Sequence, residues 1–350
     1  MIRKRVLPTA AALAAAVAIA ACSSSASSST AAAPGATAAA ASSAAGATSA
    51  AATKYTVAGI YENTEDPFWA TFVCGAKAEA QTLGVNLKVY SQATQNESAL
   101  STILSTALLT SPQGVLFNPI DTTPWNATLS SLLSKGTPVV TSTNVLAGHQ
   151  IGFAQALQSG GVGAQQVVSM LKGTSGQAVQ LLGLASAPFQ TQRNGPVVAA
   201  LKQSVPGLTW LPNAIDGFDV NKGTQIISSL IAAHPDLKLI VAVAGPEGQA
   251  AAAAIAQNHM AGKIKVVAFD AVPAEVAGLK ANDIQLLLAQ PAKALGGDEL
   301  KLMVQWLKAN PGHTGAVTAA NLNVQPPLGV ITAANVNSPT MIPFEYSPSC

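Results

Sequence analysis

Short apolar runs alternate with longer amphipathic ones along most of this chain, and that alternation restricts the folds open to it. The runs 56–60, 85–89, 114–117, 138–141, 178–182, 239–243, 265–269 and 284–288 read as buried parallel strands. Between them, Leu100, Ile103, Leu104, Ala107 and Leu108 recur at three- and four-residue spacing, as do Phe72, Ala76, Ala80 and Leu83. Each set therefore lies along one side of a helix. Strand–helix alternation predicts open parallel sheets with helices on both faces, linked by right-handed crossovers. The stretch concerned is longer than one core usually organises, so an α/β fold of two Rossmann-like lobes is expected.

In such sheets small molecules bind beyond the carboxyl ends of the strands, where loops and helix N-termini converge. The loops at those ends are rich in polar and aromatic residues: Tyr61 to Trp69, Asn118 to Trp125, Ser142 to Asn144, Asp270 and Gln290.

The first residues are of a different character. Arg3-Lys4-Arg5 precede an apolar run from Val6 to Ala20 that is short for a membrane span and has the form of a signal peptide. It ends in Ile19-Ala20-Ala21-Cys22, which resembles a bacterial lipobox, so residues 1–22 are expected to direct export and lipidation of Cys22. Residues 23–53 are almost wholly Ala, Ser, Thr and Gly, too poor in large apolar side chains to form a core, and read as a disordered tether. The expected location is extracytoplasmic, on the outer face of the cytoplasmic membrane, with the lipid as the only membrane contact. Lys and Arg number 18 against 16 Asp and Glu, and losing the leader's basic residues makes the balance nearly even. Nothing in that balance favours nucleic acid. Cys74 and Cys350 are then left either to pair in an oxidising compartment or to stay apart, Cys74 as a small helix-packing hydrophobe.

Three segments carry a family resemblance: Asn63-Thr64-Glu65-Asp66-Pro67-Phe68-Trp69, Asn118-Pro119-Ile120-Asp121, and the stretch from Val266-Val267-Ala268-Phe269-Asp270 through Ala289-Gln290. Over about Lys54 to Ala320 the chain resembles the ribose-type periplasmic sugar-binding proteins of ABC importers. The resemblance implies the periplasmic-binding-protein-like I fold: two lobes joined by a three-strand hinge, closing on a sugar. It implies residues 54–154 plus 290–320 as the N-terminal lobe and 155–289 plus 321–350 as the C-terminal lobe and tail. Carried over residue by residue, the pocket falls on Asp66, Phe68 and Trp69 of the first lobe, Arg193, Phe218 and Asp270 of the second, and Gln290 at the hinge. Glu62, Thr143, Asn144 and Glu247 occupy further matching positions with altered residues. Many family members have Asp-Arg where this chain has Thr143-Asn144, and Gly245-Pro246-Glu247 stands in place of a polar Asn-Asp turn.

Several of these residues stand out on their own chemistry. Arg193 is the only arginine beyond the leader, and its planar, permanently charged fork has a use that lysine cannot supply. A lone surface arginine at a helix start is the plainer reading. Asp270 directly follows an apolar strand, where it can meet a ligand, cap a helix, or do both through its two oxygens. Phe68 and Trp69 follow Asp-Pro at a loop-to-helix junction, suited to ring stacking or to the core. Trp125 is divided between the same alternatives, and Phe218, between Gly217 and Asp219, is expected as a lid over the ligand.

The sequence shows none of the common catalytic patterns. His149, His234, His259 and His313 form no metal-binding helix pair, and no phosphate-binding glycine loop followed by Lys-Ser or Lys-Thr occurs. No serine elbow is present, and Cys74 has no evident basic partner. The expectation is a monomeric binding protein with no cofactor, no bound metal and no enzymatic activity. Its expected partners are a small polar ligand, a monosaccharide or polyol, and the permease of an ABC importer. The rivals are a ligand-sensing surface receptor that partners a sensor kinase, and a binder of a non-sugar small molecule such as a nucleoside or furanosyl signal.

Overall fold

A computed structural model describes residues 55–350, apart from 94–95 and 157–161. The leader, Cys22 and the expected tether lie outside the described residues.

The first half of the folded chain builds β1 Tyr55–Asn63, α1 Pro67–Leu83, β2 Val85–Gln92, α2 Glu97–Leu108, β3 Gly114–Phe117, α3 Asn126–Ser134, β4 Val139–Thr141 and β5 Gly152–Ala154. The second builds α4 Val162–Met170, β6 Gly176–Leu182, α5 Pro188–Ser204, β7 Leu208–Trp210, β8 Ala214–Ile215, α6 Val220–Ala233, β9 Leu237–Ala242, α7 Gly245–Gln257, β10 Lys265–Phe269, α8 Pro273–Lys280 and β11 Leu286–Ala289. The chain closes with α9 Ala292–Ala309, β12 Leu322–Val324 and β13 Gly329–Ile331.

Among the described residues one sheet runs β12-β5-β4-β3-β1-β2, every pair parallel. The other runs β13-β11-β10-β9-β6-β7, with β8 also on β6, and is parallel except for β13. The strands β3 and β11 are buried along their whole length, and so is β10 apart from Lys265, which is why they read as continuous apolar runs. Each fully buried Val, Leu or Ile contributes about 1.5–3 kcal/mol relative to exposure, so burial on both faces holds these layers together.

Local chemistry sets where the helices begin. The Asp66 carboxylate accepts from the N–H groups of Phe68 (2.9 Å) and Trp69 (3.4 Å), and Pro67 opens α1. Gly84, in the left-handed region at φ 64°, closes it. The predicted α2 stripe is the buried one: Leu100, Leu104 and Ala107 point inward, with Ile103 and Leu108 packed beside them.

After β11 the chain returns to the first lobe as α9, which lies directly on α1. Gly75 and Gly296 permit this approach, because a Cβ at either would collide with the backbone of the other helix. A buried network fastens the return: Glu299 of α9 accepts from Asn118 Nδ2 (2.8 Å) and lies 3.4 Å from the Tyr61 hydroxyl. The connections after β5, β11 and β12 cross between the sheets.

One boundary needs correction. Residues 321–350 were expected wholly in the second lobe, but β12 pairs with β5 of the first sheet: Leu322 faces Gly152, Asn323 faces Phe153 and Val324 faces Ala154. The tail then joins the second sheet through β13 and ends back on the first lobe, where Cys350 forms a disulfide with Cys74 of α1. The short strands β5, β7, β8, β12 and β13 are two or three residues long, too short to show a period.

Candidate functional site

The carboxyl ends of β1, β3 and β4 face those of β6, β9 and β10 across a small cavity. It is lined by Asp66, Phe68, Trp69, Ile120, Thr143 and Asn144 from one lobe and by Phe189, Arg193, Phe218, Ala244, Pro246 and Asp270 from the other. The cavity has a volume of about 50 Å³, which suits a few waters or one small molecule.

The charged centre is an ion pair set in apolar walls. Arg193, on the second turn of α5, is 3% exposed, and its Nη1 lies 3.1 Å from Asp270 Oδ2 and 3.0 Å from the Val243 carbonyl. The guanidinium also sits 5.1 Å from the Phe189 ring centre and 5.8 Å from that of Phe269, within cation–π range. Arg193 Nε is buried without a protein partner. The lone-surface-arginine reading is thus overturned by burial.

Asp270 is held on every side. Oδ2 also accepts from Gly245 N–H (3.2 Å) at the start of α7, while Oδ1 accepts from the Tyr346 hydroxyl (3.0 Å) and lies 3.4 Å from Gln290 Nε2. Its backbone sits at φ 83°, in the left-handed region that costs a non-glycine residue about 1–3 kcal/mol. Phe218 shares that feature at φ 63°, its N–H bonded to Asp216 Oδ1 at 2.9 Å. Its ring lies almost parallel to that of Phe189, centres 6.3 Å apart, and covers Gly183, where a Cβ would collide with it. Strain at two cleft residues marks positions where local energy gives way to geometry.

The first-lobe wall is quieter. Phe68 and Trp69 pack edge to face at 5.0 Å and belong to the core cluster while also lining the cavity. Asn144 Nδ2 is consumed by the carbonyls of Pro119 (2.9 Å) and Ile120 (2.7 Å), leaving Asn144 Oδ1 and Thr143 Oγ1 without protein partners.

Glu62, Glu247 and Gln290 are buried behind the lining rather than on it. Glu62 Oε1 accepts from Ile120 N–H at 3.0 Å, and burial with the neighbouring Glu97 raises its carboxyl to about 8. Glu247 is raised well above the usual range by burial and then by Asp216. Glu275 is raised likewise by burial and by Asp270. Asp66 is pushed up to about 6, by burial first and the charge of Asp270 second. Near neutral pH Glu62 therefore keeps its proton while Asp66 is mostly ionised, so the cleft is less negative than its acid count suggests. Trp125 lies outside the cavity: its ring packs at 4.7 Å on Phe117 and its indole N–H bonds Glu97.

The lining contains no Ser, Cys, His or Lys, so what it presents is stacking surface, an ion pair and short polar groups. Among the described residues no group of three or more His, Cys, Asp or Glu is placed to hold a metal ion. No described helix is long and apolar enough to cross a membrane.

A family model described as periplasmic binding protein domain matches residues 57–311. The chain belongs to this family. Among curated relatives, the D-allose-binding periplasmic protein of Escherichia coli is 24% identical over 265 residues, spanning 72% of this chain and 84% of the relative. The ribose import binding protein of Salmonella typhimurium is 25% identical over 267 residues, spanning 73% and 86%. Of solved structures, an ABC transporter solute binding protein from Agrobacterium vitis bound with alpha-D-tagatopyranose superposes with a TM-score of 0.73. It is 23% identical, with 84% of this chain and 100% of that one covered. A XylFII–LytSN complex gives 0.71 at 15% identity, covering 80% and 98%. As a periplasmic binding protein the chain has the two-lobed α/β fold that its alternating runs and its resemblance to the ribose type implied.

Sequence reasoning missed Ile120, Phe189, Ala244 and Pro246 in the lining. Phe189 had a usable signal, since Ala187-Pro188-Phe189 opens α5 as Asp66-Pro67-Phe68 opens α1. Pro246 lies in the Gly245-Pro246-Glu247 turn that the resemblance places near the pocket, while Ala244 carried no signal, because a small apolar residue beside a helix start looks alike whether or not it faces a cleft.

Proposed function

We propose that this periplasmic binding protein captures an uncharged monosaccharide or polyol between its lobes and delivers it to an ABC importer. The observation that carries the reading is the buried Arg193–Asp270 pair at the end of an aromatic-walled cavity of single-molecule size. A neutral polyhydroxylated ring suits it: hydroxyls meet the guanidinium and the side chains of Asp66, Thr143 and Asn144, and Phe68, Trp69 or Phe218 covers the apolar ring face. Glu62, Glu247 and Gln290 act from behind, holding the lining in place. The relatives named for ribose and D-allose support the choice of ligand class. Ligand contacts made to both lobes favour the closed form over the open one. The chain performs no bond chemistry in this reading and works as a monomer.

The same proposal places the protein outside the cytoplasmic membrane, held by a lipid on Cys22. The Cys74–Cys350 disulfide supports an oxidising location. Incorporation of labelled fatty acid into the wild type but not into Cys22→Ala tests the anchor.

Thermal unfolding against D-ribose, D-allose, D-arabinose, D-tagatose and a polyol series tests the ligand class, since a ligand at a hundred times its Kd adds about 2.7 kcal/mol. Stabilisation by at least one of them is expected. Stabilisation by nucleosides or amino acids alone would move the site to another class.

A further inference from the structure

The C-terminal tail reaches the carboxylate at the centre of the cleft from outside the lining. Met341 and Phe344 pack on the core of the second lobe, and Tyr346 N–H donates to the Ala271 carbonyl (3.1 Å) of the same lobe. One residue later the chain is fastened to α1 of the first lobe: Ser347 N–H donates to Thr71 Oγ1 at 2.7 Å, and that hydroxyl lies 3.0 Å from the Ser347 carbonyl. The Cys74–Cys350 disulfide, with Cα atoms 5.3 Å apart, locks the end. Residues 341–346 thus pack between the two lobes, with the Tyr346 backbone bonded to the second, and from Ser347 onward the tail is fastened to the first.

Tyr346 sits at that crossing. Its ring meets Phe68 edge to face at 5.5 Å and is buried in the first-lobe core. Its hydroxyl donates to Asp270 Oδ1 and accepts from Gln290 N–H (3.1 Å). Packing alone calls for a phenylalanine, because a buried hydroxyl is unfavourable unless both its roles are met. The carboxylate torsion of an aspartate has a broad minimum and is fixed only by what holds both oxygens. Arg193 and Gly245 hold Oδ2; without the phenol, Oδ1 keeps only the 3.4 Å contact to Gln290 Nε2.

We infer that Tyr346 is a positioning residue: it sets the Asp270 carboxylate for the ligand, and the disulfide-locked tail delivers it across the two lobes. This rests on the proposed ligand-facing role of Asp270 and Arg193. Motion of either lobe is transmitted to the phenol, since its two flanking attachments belong to different lobes.

The test compares full-length wild type, Tyr346→Phe and Cys350→Ser in two ways. Without sugar, amide hydrogen exchange read by NMR is expected to quicken roughly tenfold at Gln290 in Tyr346→Phe and at Ser347 in Cys350→Ser. With whichever of D-ribose, D-allose, D-arabinose or D-tagatose stabilises the wild type, Tyr346→Phe is expected to raise Kd roughly tenfold, and Cys350→Ser by less. Phenylalanine keeps the ring against Phe68, so a purely packing role predicts an unchanged Kd, and that result overturns the inference. If none of the four sugars binds the wild type, the sugar reading falls by itself, and Gln290 exchange decides: faster in Tyr346→Phe supports the positioning role, unchanged overturns it.

Discussion

The two walls of the cleft solve recognition differently. The second-lobe wall carries a buried ion pair, two stacked phenyl rings and two residues in left-handed backbone, Asp270 and Phe218. The first-lobe wall carries two aromatic rings, an acid, Asp66, already engaged in capping α1, and the short neutral groups of Thr143 and Asn144, the amide of Asn144 being spent on its own backbone. The family resemblance implies a charged Asp-Arg pair where this chain has Thr143-Asn144, and we propose that directional recognition rests mainly on the second lobe. A charge left in an apolar wall must be paired to be tolerated, whereas a threonine hydroxyl can wait for a partner at small cost. The prediction is an unequal division of labour: the second lobe chooses the ligand, and the first lobe shapes and encloses it.

The strongest challenge to this division is Arg193→Ala. It leaves Asp270 buried without its countercharge, so affinity for the bound sugar should fall roughly a hundredfold and stability by about 3–5 kcal/mol. A pair 3% and 4% exposed makes this substitution a matter of folding as well as of binding. Calorimetry and urea unfolding read the two losses separately, and wild-type affinity would remove Arg193 from recognition. Asp270→Asn keeps the shape and loses the charge, with affinity expected to fall roughly tenfold. An effect larger than that of Arg193→Ala would make the aspartate, not the arginine, the principal contact.

The acids behind the walls give a third test. Glu299 and Glu62 are each raised from 4.5 to about 8, Glu299 by burial and Glu62 by burial and then Glu97. The folded state therefore binds more protons than the unfolded state between those values, and stability must fall as pH rises through that window. Thermal unfolding should show a melting temperature that drops from pH 5 to pH 8. Glu299→Gln, which keeps an amide oxygen for Asn118, should flatten the slope, a contribution of about 2 kcal/mol. A melting temperature that rises over this range would contradict the protonated core. Smallest of all, Thr143→Val should change affinity by no more than roughly threefold. If it matches the loss in Arg193→Ala, the two walls share recognition equally and the contrast between them fails.

Much of this was legible in the chain itself. The runs 114–117 and 265–269 coincide with β3 and β10 because strands buried on both faces have no polar period to blur them. Phe68 and Trp69 were readable because they follow Asp-Pro at a loop-to-helix junction, and Asp66 was readable through the family resemblance of its segment. Arg193 was readable because one arginine in a chain otherwise supplied with lysine calls for a chemical reason.

Other features required the tertiary structure. That Phe68 and Trp69 line the cavity and fill the core at once depends on how two lobes approach, which no local pattern encodes. Glu62 and Glu247 look like ligand-facing acids in sequence; burial behind the walls was decided by helices packed from distant parts of the chain. Least visible was Tyr346, near the end of an irregular, proline-rich tail, which reaches Asp270 across a separation of 76 residues. Local spacing dictates period and helix ends because neighbouring residues share one backbone. Contacts closed over long loops follow from the packing of the whole, so the strand order, the crossing tail and its disulfide belong to the folded molecule alone.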